Sequence, residues 1–298
     1  MELRRLEYFL AVAEAGHFTR AAESMHVSQP ALSQQIKKLE AELGAPLFDR
    51  LGQGVELTEA GELLLPRARR VLSELEDAET AVEELRGLQR GTVRVGTVQT
   101  TGEYLIPGAV SRFHEAHPNV NVSVEERSAP GIERGLQDGA LDLGVGFVTS
   151  EQNGLDVSPL FDESLVAIVG RDHPWSHRST LPVSTLGERP LVLLPEGYCT
   201  RRLVDRTIQA AGVRPTVRLE LNSIAGILQT VKETGAATIL PRLTLSMTGT
   251  GDLTAVPLTD PEPRRTVGLL FSADRYRSDA AQALAEQIRS RADEHVTA

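Results

Sequence analysis

The sequence predicts an α/β chain in which short helices and one long helix precede two lobes of alternating strands and helices. Three observations support this prediction. Apolar residues recur every three to four positions through residues 3–43, which is typical of helices. A seven-residue apolar repeat runs through residues 64–85. Beyond Gly91, short apolar strands alternate with helical patterns, which predicts a largely parallel sheet.

The net charge of the chain is weaker evidence against a nucleic-acid partner than it first suggests. The 298 residues carry 31 basic and 41 acidic side chains, a net charge of −10, which argues against a nucleic-acid partner. Residues 17–38, however, hold Arg20, Lys37 and Lys38 against Glu23 alone. The single cysteine excludes a disulfide framework and a multi-cysteine zinc site. With no signal-peptide pattern and no long apolar run, we expect a cytoplasmic protein without a membrane partner.

The first 57 residues predict three short helices and a small hairpin. The first helix begins near Leu3 and breaks at Gly16, and the second covers residues 19–25. Ser28 caps a third helix, Gln29–Leu43, in which Pro30 is tolerated in the first turn. Residues 48–57 contain two glycines between short apolar pieces, which predicts the hairpin.

The third helix carries a slim polar face near its start, which favours a helix-turn-helix that reads DNA. Serine and glutamine side chains can read base edges in the major groove, and lysines can reach phosphates. The candidate DNA-binding residues of this segment are Arg20, Ser28, Gln29, Pro30, Ser33, Gln34 and Lys37. The alternative is a plain three-helix bundle with a solvated polar face.

Thr58 caps a long helix that we expect to run from Glu59 to about Leu88, with Pro66 near its start. Its apolar seam has a mean period of 3.5 residues and favours self-association over packing within one domain. The seam comprises Leu64, Ala68, Val71, Leu75, Ala78, Val82 and Leu85. We assign dimerisation to Leu64, Val71, Leu75 and Val82.

The remainder of the chain predicts two α/β lobes. The predicted strands cover residues 92–98, 120–126, 141–147, 165–169, 191–194, 216–221, 237–240, 253–256 and 265–272. The predicted helices cover residues 105–117, 131–138, 200–211, 223–233 and 278–294. The last strand and helix are expected to return to the first lobe.

Polar residues follow the ends of several predicted strands, where parallel α/β lobes bind ligands. Free N–H groups at the helix starts there favour a small anion as effector. The candidate effector-binding residues are Thr100, Thr101, Ser128, Phe147, Cys199, Thr200, Asn222 and Ser223. The alternative is that the hydroxyl residues only cap helices.

Several long stretches of the chain resemble LysR-type transcriptional regulators. The N-terminal stretches are 6–22, 27–40, 43–50 and 57–61, and a later one is the Gly-rich run 235–241 that ends in Leu-Pro. The resemblance implies a winged helix-turn-helix in residues 1–58, with Arg50 at the wing, and a linker helix for dimerisation in residues 59–90. It also implies a periplasmic-binding-protein-like effector domain in residues 91–298, with lobe I at 91–161 and 268–298 and lobe II at 162–267.

The same resemblance implies partners. They are double-stranded DNA with a broken palindromic operator, RNA polymerase, a small-molecule effector and further copies of the chain in a dimer or tetramer. His17 departs from the small serine that the family often carries, and either a phosphate contact or simple exposure would explain it. Many members repress their own gene and activate a divergent one, so activation and repression both stay open.

Cys199 raises a second hypothesis. Some stretches resemble the cyanate-responsive activators of the family, yet Cys199 falls where peroxide-sensing, OxyR-type members carry a reactive cysteine. A helix start next to Arg201 and Arg202 favours a thiolate. A second cysteine is absent from the sequence, so a sulfenic acid or a mixed disulfide is the possible product. The alternative is a packing cysteine in the effector cleft.

Other classes of protein fit the sequence poorly. No P-loop, nucleophile elbow, dinucleotide fingerprint or convergent acid–base set occurs, so we expect neither an enzyme nor a bound cofactor or metal. A secreted solute-binding protein would have a signal peptide and no helix-turn-helix before Gly91, and this sequence meets neither condition.

Overall fold

The computed structural model describes residues 1–51, 54–84, 91–149, 152–247 and 251–297. The chain divides into two compact units. The first contains three short helices, a hairpin and a long helix within residues 1–84, and the second contains the strands and helices from residue 91 onward.

Three short helices build the first unit, as the sequence predicts. They are α1 (Leu3–Ala15), α2 (Phe18–Ser24) and α3 (Gln29–Leu43). The first ends at Gly16 and the third at Gly44, both with left-handed φ angles of 60° and 72°, which glycine adopts without a steric penalty. Their shared core includes Leu6, Phe9, Val12, Ala21, Leu32, Ile36 and Leu39.

The predicted hairpin is confirmed. Strands β1 (Phe48–Leu51) and β2 (Gly54–Leu57) pair antiparallel, with Phe48 opposite Leu57. The Phe48 ring lies 5.3 Å from the Phe9 ring and 5.8 Å from the Phe18 ring, centroid to centroid, so the hairpin is anchored to the helical core. The tip, residues 52–53, lies outside the described residues.

Helix α4 (Glu59–Glu84) begins at a tightly built joint. The Thr58 hydroxyl donates to the carbonyl of Pro46 at 2.6 Å and accepts from the N–H of Gly61 at 3.1 Å. A Cβ on Gly61 would lie 2.2 Å from the Leu47 carbonyl oxygen, so only glycine fits there. Pro66 lies inside the helix without ending it, and residues 85–90, including Leu85 of the predicted seam, lie outside the described residues.

The two ends of the α4 seam have different surroundings. Ala68 is buried, and Leu64 is half-buried against the core of the first unit, so Leu64 has contacts within its own chain, and its assignment to dimerisation stays a prediction. Further along, the side chains of Val71, Leu75 and Val82 are 45%, 39% and 52% exposed. The exposed apolar seam therefore begins at Val71, about two turns later than the sequence repeat indicates.

Lobe I of the second unit is built on parallel strands. Strand β3 (Gly91–Thr97) pairs parallel with β4 (Val120–Glu126) and with β5 (Leu143–Phe147). The helices of this lobe are α5 (Gln99–Tyr104), α6 (Ile106–Ala116), α7 (Ala129–Gln137) and α10 (Asp279–Thr297). The helix predicted over 105–117 corresponds to α6, and α5 lies before it, where no helix was predicted.

Two long strands cross from lobe I to lobe II. Strand β6 (Leu155–Gly170) pairs antiparallel with β12 (Arg264–Ser272), which also pairs with β5. The register shifts between Val267 and Gly268. The sequence predicts β6 only from residue 165, ten residues too late. Because both crossings are strands of one sheet, the lobes share a continuous hydrogen-bonded connection.

Lobe II surrounds the far half of β6. Strands β10 (Thr238–Pro241) and β11 (Leu253–Thr259) pair antiparallel with β6, and β7 (Leu181–Pro182) pairs parallel with β11. Strands β8 (Leu191–Leu193) and β9 (Val217–Glu220) form a parallel pair.

The helices of lobe II flank these strands. They are α8 (Cys199–Ala210), α9 (Ile224–Thr234) and two short 3₁₀ helices, Val183–Glu188 and Arg242–Met247. Among the helices of the described residues, none is both long and apolar enough to cross a membrane.

Candidate DNA-reading surface and effector cleft

The start of α3 presents a polar surface on a well-anchored helix. The Ser28 hydroxyl accepts from the N–H of Ala31 at 3.4 Å and caps the helix. Gln29, Gln34 and Lys37 are exposed. The opposite face of the helix is buried and consists of Leu32, Ile36 and Leu39. This arrangement fixes the helix while leaving its polar side chains free to meet a groove of DNA.

The other candidates around α3 vary in accessibility. Pro30 is exposed in the first turn of α3, and Ser33 is half-buried. Arg20 is exposed, but its guanidinium donates to the Ala15 carbonyl at 2.6 Å, which orients it along the end of α1. The side chain of Arg50 lies outside the described residues.

His17 has a structural role that the sequence left open. Its Nδ1 accepts from the N–H of Thr19 at 3.1 Å, so it is the N-cap of α2. A serine would satisfy the same N–H group. The imidazole therefore replaces a hydroxyl cap with an equivalent acceptor.

A cavity of about 250 Å³ lies between lobe I and lobe II in the second unit. Lobe I contributes the start of α5 and the ends of β4 and β5, and lobe II contributes the start of α8. The lining residues are Val98, Gln99, Glu126, Arg127, Ser128, Phe147, Gly197, Tyr198, Cys199 and Thr200. Loss of water around its carboxyl raises the pKa of Glu126.

Arg265 of β12 joins both lobes beside this cavity. Its guanidinium donates to Glu163 at 2.7 Å, to the Thr100 hydroxyl of lobe I at 3.1 Å, and to the Thr200 hydroxyl of lobe II at 2.8 Å. It also lies 3.9 Å from the centre of the Phe147 ring, a cation–π contact. Sequence reasoning missed Arg265, which it read only as the start of a strand.

Tyr104 also bonds to Glu163 and so joins the buried network around Arg265. The Tyr104 hydroxyl donates to the second oxygen of Glu163 at 3.0 Å. Burial, and then the charge of Glu163, raises the pKa of Tyr104 well above its usual value. The phenol therefore stays a hydrogen-bond donor, and the carboxylate has partners for both of its oxygens.

The structure brings some predicted effector residues to the cavity and not others. Ser128, Phe147, Cys199 and Thr200 line it, and Thr100 lies directly behind it on Arg265. Thr101 is fully buried, and its hydroxyl is within 2.8 Å of the Thr97 hydroxyl, so it faces the interior of lobe I.

The hydroxyl groups at two helix starts also act as caps, as the alternative interpretation held. Ser128 accepts from the N–H of Gly131 at 3.3 Å, and Ser223 accepts from that of Gly226 at 3.2 Å. Ser223 and Asn222 are exposed and do not line the cavity, although the Asn222 carbonyl accepts a hydrogen bond from the Gln99 side chain.

Cys199 is the first residue of α8 and is half-buried in the cavity wall. Its Sγ lies 3.2 Å from a guanidinium nitrogen of Arg202. The sequence also placed Arg201 beside the thiol, but in the structure this arginine is bonded to other groups. Its guanidinium is buried and bonded to Asp205 at 2.9 Å and to Glu220 at 2.5 Å.

A helical unit with an exposed polar helix, followed by a two-lobed α/β unit with a cleft, defines a regulator that couples DNA binding to an effector domain. Residues 3–62 match the family described as "Bacterial regulatory helix-turn-helix protein, lysR family", and residues 86–293 match the "LysR substrate binding domain". The chain belongs to the LysR family of transcriptional regulators. The predicted family, domain order and non-enzymatic class are confirmed.

Relatives of similar length support this membership. The chain is 34% identical over 296 residues to the DNA-binding transcriptional dual regulator OxyR of Escherichia coli, covering 99% of this chain and 97% of OxyR. It is also 34% identical over 293 residues to a probable RuBisCO transcriptional regulator of Trichormus variabilis, covering 96% and 87% of the two chains.

Solved structures match both units of the chain. Full-length OxyR C199D from Pseudomonas aeruginosa has a TM-score of 0.77 at 30% identity, covering 97% of this chain and 98% of that one. Full-length CbnR in complex with its target DNA has a TM-score of 0.69 at 25% identity, covering 98% and 100%. The fold is therefore that of full-length LysR-family regulators.

Proposed function

We propose that this regulator reads its operator with the first half of α3. The observation that carries the proposal is the division of α3 into a buried apolar face and an exposed polar face that includes Gln29, Gln34 and Lys37. An α-helix presented in this way can enter the major groove, where glutamine pairs with base edges and lysine neutralises phosphates.

Self-association follows from the exposed seam of α4. Val71, Leu75 and Val82 present an apolar stripe at heptad spacing, which a second copy of the helix can cover. A dimer would place two reading helices about one DNA turn apart, so the proposed operator is a broken palindrome. We further propose assembly to a tetramer, contact with RNA polymerase and a cytoplasmic site of action, as suits a protein that acts on DNA.

Variants of α3 test the reading surface. Gln34→Ala should lower discrimination at its base pair by about 1–3 kcal/mol, whereas Lys37→Ala should weaken binding to all sequences and flatten the salt dependence. Fluorescence anisotropy on operator and scrambled DNA at several salt concentrations measures both effects. Lys232→Ala, on α9 of the second unit, is the matched control. Wild-type behaviour of both α3 variants would show that another surface reads DNA.

The cavity between the lobes is the proposed effector site. Its walls come from both lobes, so a ligand bound there contacts both and favours one relative arrangement of them. We propose that this changes the spacing of the reading helices in the oligomer, and with it the bend of the operator.

A second candidate function is thiol-based redox sensing at Cys199. The Arg202 guanidinium lies 3.2 Å from Sγ, and several relatives are named hydrogen peroxide-inducible genes activators. The thiolate would attack one oxygen of a peroxide, the O–O bond would break, and the second oxygen would leave as hydroxide. The sulfur is oxidised to a sulfenic acid while the peroxide is reduced. With one cysteine in the sequence, an intrachain disulfide cannot follow.

The Cys199→Ser variant separates the two candidates. If redox sensing operates, peroxide should change operator binding by the wild type and leave the Cys199→Ser variant unaffected. Mass spectrometry of the peroxide-treated wild type should then show one added oxygen on this residue. An equal peroxide response in both proteins, or none in the wild type, would exclude Cys199 as the sensor and leave the effector function in place.

A further inference from the structure

The cavity between the lobes carries a carboxylate that no cation neutralises. Glu126 is the last residue of β4, is exposed and lines the cavity, so a ligand can reach it. Within the described ranges of the chain, no side chain bonds to its carboxylate. Partial loss of water already raises the pKa of this carboxyl, so its charged form would gain from a cation placed beside it.

A second carboxylate adds to the negative potential at this wall. Glu103 lies one turn along α5 from Gln99, which also lines the cavity. Burial, and then the charge of Glu126, raises the pKa of Glu103, so the two carboxylates lie close enough to repel each other. The Glu126 side chain therefore lies on the side of β4 where α5 begins.

The arginine of the cavity wall does not offset these charges. Arg127 donates to Glu125 through Nε at 2.9 Å and through one terminal nitrogen at 2.6 Å. Its other terminal nitrogen lies 2.9 Å from the position that a Cβ on Gly135 would occupy, nearly two turns into α7. The guanidinium is therefore paired with Glu125 and turned toward the body of α7.

The helix starts at the cavity are weaker charges than the Glu126 carboxylate. The Ser128 hydroxyl already accepts from the N–H of Gly131 at the start of α7. The start of α8 has no side-chain cap, but a helix start is equivalent to only about half an elementary charge. The balance of charge at the cavity favours a cation over the small anion that the helix starts predicted.

We propose that the cavity selects a small cation, a primary ammonium group on a short apolar body, whose ammonium pairs with the carboxylate of Glu126. This rests on the proposed function of the cavity as the effector site. Phe147 and Tyr198 line other parts of the wall, and aromatic rings suit both an apolar body and a neighbouring ammonium. A volume of about 250 Å³ limits the ligand to a small molecule.

Such a ligand would join the two lobes. Glu126 belongs to lobe I, and Tyr198 precedes α8 in lobe II. A cation that pairs with the first and packs on the second stabilises the arrangement in which these two walls face each other closely. An anion of the same shape would be repelled by the wall of lobe I and would not have this effect.

Matched ligands test the inference on the full-length protein. Isobutylamine, isobutanol and isobutyrate have nearly the same shape, and at neutral pH they are a cation, a neutral molecule and an anion. We expect isobutylamine to raise the Tm in a thermal-shift assay and to bind in titration calorimetry, with the other two binding at least tenfold more weakly. Equal or tighter binding of isobutanol or isobutyrate, or no binding of any of the three, would overturn the proposal.

A variant pair locates the binding. Glu126→Gln keeps the size of the side chain and removes its charge, so isobutylamine affinity should fall about tenfold and the preference over isobutanol should be lost. Glu115→Gln is the control, since Glu115 is exposed on α6 of the same lobe and is not among the residues that line the cavity. Undiminished amine binding by a folded Glu126→Gln variant would overturn the proposal. Should that variant fail to fold, the comparison of the three ligands on the wild type still decides.

Operator binding separates this inference from the proposed function beneath it. If isobutylamine binds in a Glu126-dependent way but leaves operator affinity and bending unchanged, the ligand class stands and the regulatory role of the cavity fails. If isobutyrate alone binds and alters operator affinity, the regulatory role stands and the ligand class fails.

Discussion

At the scale of single residues, Arg265 and Glu163 form a buried ion pair that is bonded to both lobes. Their side chains are 6% and 7% exposed, and the arginine also bonds a hydroxyl from each lobe. Charges so well buried cost much to desolvate, and only their mutual pairing and the surrounding donors offset that cost. Removing one partner therefore leaves the other charge buried and uncompensated.

The Arg265→Met variant should destabilise the second unit by about 3–5 kcal/mol, because the Glu163 carboxylate loses its cation. Urea unfolding measures the change. Arg264→Met is the control, since that side chain is 66% exposed and its pair with Glu262 is 3.6 Å long, so the loss should stay below about 1 kcal/mol. Similar losses in the two variants would contradict this account. Adding Glu163→Met to Arg265→Met should recover part of the stability.

The sequence could not reveal this pair. Arg265 and Glu163 lie 102 residues apart, and neither stands in a motif. The candidate hydroxyls Thr100 and Thr200 were found because they follow strands, which is a local signal. Their common partner depends on how β6 and β12 cross between the lobes, and no periodicity in one segment encodes that crossing.

At the scale of elements, the sequence predicted the helices and strands that have a strong apolar periodicity. It missed those that form because of tertiary packing. The parallel strand β4 and the helices α8 and α9 were located to within about a residue or two. Helix α5 was missed because Gln99–Tyr104 includes two threonines and a glycine, which favour helix weakly. It forms because most of its side chains are buried in lobe I, so tertiary packing overrides propensity.

The joint between the hairpin and α4 gives a prediction at this scale. A Cβ at residue 61 would lie 2.2 Å from the Leu47 carbonyl oxygen, a backbone atom that cannot rotate away. Gly61→Ala should therefore destabilise the first unit by about 1–3 kcal/mol and lower its Tm in calorimetry.

Gly226→Ala is the control for Gly61→Ala. Gly226 also lies in a helix, but its new Cβ would meet only Ser223 atoms at 3.4 Å or more. The stability of that variant should rise by up to about 1 kcal/mol. A neutral effect of Gly61→Ala would mean that the joint relaxes at no cost.

At the scale of the whole molecule, the negative net charge makes the proposed self-association important for DNA binding. A chain with a net charge of −10 attracts DNA weakly outside its positive segment, so one copy should bind with low affinity. Joining copies makes the second contact effectively intramolecular and restores affinity without a more basic surface. The proposed seam on α4 is therefore as important for DNA binding as the reading helix.

The Leu75→Arg variant tests that link. Leu75 is 39% exposed in the middle of the seam, and a charge there would have to be buried between two helices. Light scattering should give the mass of a smaller species, and operator affinity should fall more than tenfold as the second contact is lost. Leu63→Arg is the matched control. Leu63 is 58% exposed on the same helix, but its side chain points to a different side, about a third of a turn around the helix axis from the direction of Leu75. An unchanged mass in Leu75→Arg would place the self-association surface elsewhere, whereas a smaller mass with unchanged operator affinity would show that one reading helix suffices.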